Sequence, residues 1–182
     1  MAAWRIPLAT LILGATMAAA GWAGANVRMF SYLPANAVTG HTAGALTFEF
    51  DQRLMFTKVL RIHSTAGLAS AILKPADEHV LGRGGLDALI GPGAHEHDLY
   101  EVQPLGEGVD LIRAFCPGSK RAWMAFGRLL LNRDLRVRVL GDSPGGQARL
   151  CETLDFNFQG EWRLPPGAGV PESDIPVPKF PY

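Results

Sequence analysis

The stretch DLIRAFCPGSKRAWMAFGRLLLNRDLRVRVLGDSPGGQARLCETLDFNFQGEW, from Asp110 to Trp162, decides how this chain folds. Between Asp134 and Leu140, Leu135, Val137 and Val139 fall on one side of an extended backbone and Arg136 and Arg138 on the other. That period of two marks a half-buried strand. The alternation returns from Thr153 to Phe158, with Leu154, Phe156 and Phe158 set against Thr153, Asp155 and Asn157. Between the two runs lies Gly141-Asp142-Ser143-Pro144-Gly145-Gly146, dense in residues that accept positive φ, fix φ or bond to their own turn. The spacing predicts a strand–loop–strand unit with a connection longer than a tight two-residue turn.

Both cysteines of the protein, Cys116 and Cys151, lie in this stretch. A bond between them closes a loop of about 35 residues, which stabilises by roughly 3–4 kcal/mol through the unfolded chain. Cys151 shares parity with Thr153 and Asp155 and not with the apolar positions. Either a bulge shifts the register or the bridge lies at the strand end, outside the main core; the strand end is the expected place. The segment from Lys120 to Leu131 carries two patterns. Trp123, Phe126 and Leu130 fit one helical face with Ser119 as N-cap. Gly127 weakens a helix interior and the flanks are extended, so a strand is expected.

Outward from this stretch the chain keeps the same rhythm. Asn26–Leu33 reads as a first edge strand and Pro34–Gly44 as a loop. Leu46, Phe48 and Phe50 alternate with Thr47, Glu49 and Asp51; Leu54–His63 and Leu68–Leu73 follow as extended runs. Asp98–Pro104 alternates with Tyr100 and Val102 on the apolar side, and Val109–Phe115 reads as another extended run. The Phe48/Phe50 and Phe156/Phe158 pairs suggest strands in one sheet, or facing each other across two. Leu86–Ile90 has room for a short helical turn. Gly82-x-Gly84 is a flexible turn, since neither a following lysine nor a strand–loop–helix unit supports a nucleotide-binding loop. Short runs punctuated by Gly and Pro predict an all-β chain, a single β-sandwich-like domain over residues 26–163, immunoglobulin-like or jelly-roll-like.

The two ends read differently. Residues 1–25 combine Arg5, an apolar run from Ile6 to Ala20 and the small residues Ala23-Gly24-Ala25, the pattern of an N-terminal secretory signal peptide. No cysteine follows the apolar run, so a lipoprotein anchor is not expected. No membrane span is expected in the mature chain unless the signal segment stays as an anchor. Residues 164–182 hold Pro165, Pro166, Pro171, Pro176, Pro178 and Pro181, a Pro-rich extended tail that cannot supply a ladder of backbone donors. Seventeen basic residues face seventeen acidic ones, which argues against nucleic acid as the partner. Two cysteines with an export signal predict one structural disulfide in an oxidising compartment, the periplasm or outside the cell.

Few residues suggest chemistry. His95 and His97, if extended, point the same way with Glu101 further along that face, a donor set suited to zinc or copper. Ser119 sits in a tight turn, but no Gly-x-Ser-x-Gly elbow surrounds it, so turn chemistry is expected of it. Glu101, Asp110 and Asp155 are the spaced acids that glycoside cleavage would require to pair. Trp123 and Phe126 are expected in the core. Trp162, with Phe180 and Tyr182 of the tail, is the candidate partner-binding set, and Ile175 and Val177 are further tail anchors. Together these features predict an exported periplasmic or cell-envelope β-domain, non-enzymatic, that binds an envelope protein partner or scaffolds. The alternative is a small periplasmic metal-binding or metal-dependent protein using His95 and His97.

Overall fold

The computed structural model describes residues 27–52 and 57–163. The expected signal peptide and the Pro-rich tail with Phe180 and Tyr182 lie outside the described residues. Eight strands follow in order: β1 (Val27–Pro34), β2 (Leu46–Gln52), β3 (Thr57–Ser64), β4 (Ala69–Pro75), β5 (Asp98–Val102), β6 (Ala122–Phe126), β7 (Leu135–Asp142) and β8 (Ala148–Arg163). Each pairs antiparallel with the next, and β8 pairs with β1, so the sheet closes into an up-and-down barrel. The all-β expectation holds. The two-sheet sandwich, immunoglobulin-like or jelly-roll-like, does not form, and β1 is no edge strand because it has a neighbour on each side.

The reason is β8. Its 16 residues serve two partners: Ala148–Phe156 pairs with β7, and Phe156–Arg163 pairs with β1. Register shifts at Ser31/Tyr32, Glu49/Phe50 and Val139/Leu140 put extra residues into the ladder, and such bulges increase local twist and bend the strands round. Cys151 sits at one of them. Val139 pairs with Glu152 and Leu140 with Leu150, so Cys151 is the residue left over. The disulfide to Cys116 is therefore not at the strand end. A bulge breaks the alternation and lets Cys151 pack against the core.

Inside the barrel, aromatic rings fill the space. Phe30 meets Phe50 edge-on at 4.7 Å and Phe158 at 5.5 Å; Phe48 meets Tyr32 at 5.9 Å and Phe126 at 5.1 Å; Tyr100 stacks parallel on Phe126 at 5.1 Å. The two Phe-x-Phe strands thus flank β1 in one sheet. Burial holds the Tyr32 phenol well above its ordinary pKa, with the Asp134 carboxylate adding to it, so this core is uncharged at neutral pH.

Three helices interrupt the meander. α1 (Ala37–Thr42) occupies the expected 34–44 loop; Asn36 caps it by accepting the Thr39 N–H, and the Thr39 hydroxyl accepts from Asp155 N–H on β8. α2 (Asp87–Ile90) is the short turn foreseen at Leu86–Ile90. The third, α3 (Gly108–Phe115), forms where an extended run is expected. Its Leu111, Ile112 and Phe115 lie on one helical face, and all three join the barrel core. They close the rim from which β5 leaves and β6 returns. Gly108 makes this seat possible, because a Cβ there would collide with the Gln103 carbonyl.

The chain between β4 and β5 forms a strap on the outside of the wall. A 3-10 turn (Glu78–Leu81) and α2 carry Leu81, Leu86, Leu89 and Ile90 onto Leu99, Trp123, Ala125 and Leu140. Trp123 is buried as expected, but in this outer cluster and not in the barrel. The strand expected across Lys120–Leu131 is β6, ending at Phe126. Among the described residues no helix is long and apolar enough to cross a membrane.

Phe48→Ala removes a fully buried ring that touches Tyr32 and Phe126, and is expected to lower stability by about 3–5 kcal/mol. Leu130→Ser, at a half-exposed site, is expected to change it by less than about 0.5 kcal/mol. Urea midpoints of the two variants check both.

Candidate functional site

The residues nominated for chemistry do not converge. His95 and His97 lie exposed in the link leading into β5, and the residue between them, Glu96, turns inward. Its carboxylate reaches Arg138 of β7 at 3.4 Å, and Arg138 donates to the Thr153 hydroxyl at 2.8 Å. Glu101, the third member of the expected metal set, accepts a two-nitrogen contact from Arg121 at 2.7 and 3.0 Å. No group of three or more metal-ligating side chains occurs among the described residues. The remaining acids are likewise paired apart: Asp110 with Arg113 at 2.9 Å and Asp155 with Arg136 at 2.6 Å.

Ser119 does turn chemistry. Its hydroxyl donates to the Asp142 carbonyl at 2.7 Å and stands 3.1 Å from Cys116 Sγ. The Asp142 carboxylate accepts the Lys120 and Arg121 amides at 2.7 and 2.8 Å. This turn and α3 bound a cleft of about 400 Å³, with Pro104, Val109 and Ile112 on one side and Arg113, Ser119 and Lys120 on the other.

The opposite rim carries charge. Arg28 lies 5.3 Å from the Phe30 ring centre and 5.9 Å from that of Phe50, donates to Glu161 at 2.6 Å and also bonds to Gln52. Arg163 adds a second bond to Glu161 at 3.0 Å. A guanidinium over aromatic faces and against a carboxylate suits a barrel mouth, where its charge stays partly wet.

Trp162 lies on the outer wall near that rim. Its indole is 60% exposed, yet its N–H donates to Ser31 Oγ at 3.1 Å, and Ser31 in turn bonds to the Thr47 hydroxyl at 2.9 Å. Beside it Gly160 leaves open ground: a Cβ there would meet nothing within 4 Å. The arrangement is an indole held by one edge with the rest of the ring offered to solvent. Gly160 went unnoticed in the sequence, because plain alternation from Phe158 puts Gly160 and Trp162 on the inner face, and only the shift between Ser31 and Tyr32 turns them outward.

These features define the class: a closed eight-stranded antiparallel barrel, filled inside, with a helix in one mouth and an ion pair between neighbouring strands at the other. No family model, curated protein or solved structure matches the chain.

Four carboxylates are held below their usual range: Glu161 by its Arg28 bond, Glu107 by the Ser70 amide and hydroxyl, Glu49 by the His63 imidazole 3.7 Å away, and Asp142, where burial is outweighed by the Arg121 and Lys120 amides. A depressed folded pKa contributes stability that is fully present above the unfolded value, about 4.3, and lost as pH falls through the folded one. Stability is therefore expected to be flat above about pH 5 and to fall below about pH 4. Glu161→Gln is expected to be less stable than the parent at pH 7, with the difference shrinking as the pH falls below about 4 and the parent carboxylate takes up its proton. Urea midpoints across pH test this; a difference that persists in acid contradicts it.

Proposed function

We propose that this chain is an exported, non-enzymatic β-barrel domain that binds or scaffolds in the periplasm or cell envelope, taking a protein partner on its outer wall around Trp162. The observation that carries the reading is the anchored, exposed indole with open ground at Gly160. A tryptophan fixed in advance loses little side-chain freedom on association, and tryptophan is prominent among residues that dominate binding energy. The aromatic packing of the interior turns attention from the barrel lumen to the wall. Residues 164–182 continue the chain after β8, and Phe180 and Tyr182 serve in this reading as further anchors for the same partner. Export rests on the charged, apolar and small-residue pattern of residues 1–25 and fits the Cys116–Cys151 bond.

Trp162→Ala and Gly160→Gln are each expected to reduce partner capture by about tenfold or more with unchanged thermal midpoints. Crosslinking of the full tagged chain in intact cells, quantified by mass spectrometry, measures it. Ending the chain after Arg163 is expected to leave the barrel folded and remove the tail's share of capture. If both substitutions leave capture intact, the wall around Trp162 is not the interface.

A further inference from the structure

We propose that the Cys116–Cys151 disulfide is a reducible latch on α3, and that breaking it lets the helix leave the barrel mouth and bare an apolar cup beneath. Val102, the last residue of β5, pairs directly with Ala122, the first of β6. Residues 103–121 are therefore the loop of a hairpin, and the wall closes completely without them. α3 is an excursion of that loop, inserted into the mouth.

Apart from the disulfide, what holds it there is non-covalent. Leu111, Ile112 and Phe115 pack into the core, Glu107 accepts the amide and hydroxyl of Ser70 at 2.7 and 2.9 Å, and past the helix Arg149 donates to the Pro117 carbonyl while Ser119, Lys120 and Arg121 bond to Asp142. The one covalent tie to a strand outside the hairpin is Cys116–Cys151. On either side of the helix stand Gly106 at φ +54° and Gly118 at φ +83°, backbone positions that move between hands at low cost. With the bond intact, the helix is fixed at its β5 end and again at Cys116, and cannot swing. Without it, residues 103–121 move as one loop whose ends stay in the ladder.

The mouth is shaped for a removable part. Next to α3 the buried wall carries the small residues Ala69, Ala71, Ala122 and Gly141 beside the larger Leu46 and Val102, and the side chains of α3 fill the room the small ones leave. Gly141 leaves the room that Cys116 Sγ and the Ser119 hydroxyl occupy. Vacated, the cup takes an uncharged apolar group.

The chemistry is a two-electron exchange with a dithiol, such as the reduced site of an envelope thiol–disulfide oxidoreductase. Cys151 is half-buried and Cys116 fully buried, so a thiolate of the dithiol attacks Cys151 Sγ and expels Cys116 as thiolate. The second thiol of the reagent then displaces Cys151, and the dithiol leaves as its own disulfide. Its two protons pass to Cys116 and Cys151. The protein gains two thiols, and the reagent is oxidised.

Hydrogen exchange of the full chain, oxidised and in excess dithiothreitol, tests this. Reduction is expected to speed exchange across residues 109–116 by about tenfold or more while β1, β2 and β8 keep their protection. Anilinonaphthalene sulfonate fluorescence is expected to rise in parallel. Cys151→Ser should reproduce the reduced state without reagent. Two results overturn the proposal: exchange that rises equally in every strand, which makes the bond a brace of the whole barrel, or exchange that does not change, which leaves packing alone holding α3. A Cys151→Ser chain that fails to fold counts with the first.

Discussion

Everything in this molecule depends on the pairing of β8 with β1. Without that seam the meander would leave two bare edges, each a row of unpaired amides and carbonyls open to other chains. The seam exists because β8 is long enough to run along β7 for its first half and β1 for its second. Closing on itself, the sheet must enclose a lumen, and a lumen of this size is stable only if side chains fill it. The aromatic chain from Phe50 through Phe30, Phe158, Tyr32, Phe48 and Phe126 to Tyr100 supplies that filling. Closure and core are thus one constraint: the rings need a curved wall, and the curved wall needs the bulges.

Strand identity was legible because period two survives in short windows: Leu46 to Phe50, Leu135 to Val139, Leu154 to Phe158. Closure was not. Past Phe158 the inward residue is Glu161, which alternation alone would turn outward, since the shift between Ser31 and Tyr32 resets the parity. The eye therefore ends the strand at Phe158 and sees a sheet with two edges. Cys151 was misplaced for a related reason: a residue inserted into one strand takes its direction from the partner, and the partner is invisible in the sequence. α3 was missed because two turns of helix give only Leu111, Ile112 and Phe115 as signal, too few to outvote extended neighbours.

The sites were less legible still. Around His95 the sequence offers alternating donors, but a loop has no fixed alternation, and the inward residue proves to be Glu96, drawn by Arg138. Trp123 and Trp162 look alike as isolated aromatics near β runs. One is buried only because residues 76–90, far from it in sequence, fold over the wall; the other is exposed because none of the described residues does. Such cover is a tertiary fact. What was readable at Trp162 was its place beside the proline-rich end, and that nominated it for a reason unrelated to its geometry.

β8 carries both of the features given roles above, and it keeps them apart. Cys151 belongs to the half laddered on β7, beside α3; Trp162 belongs to the half laddered on β1, near the opposite rim. Phe156 is the point where the two ladders meet, buried and paired on both sides. Movement of α3 changes the packing at one mouth, where the helix rests chiefly on β4. The Ser31–Thr47–Trp162 bonds at the far end involve none of the same residues. A rigid closed wall between two such regions isolates them, because a strand bonded on both edges cannot shift its register without breaking a ladder. The barrel is better suited to hosting two independent surfaces than to passing a signal between them.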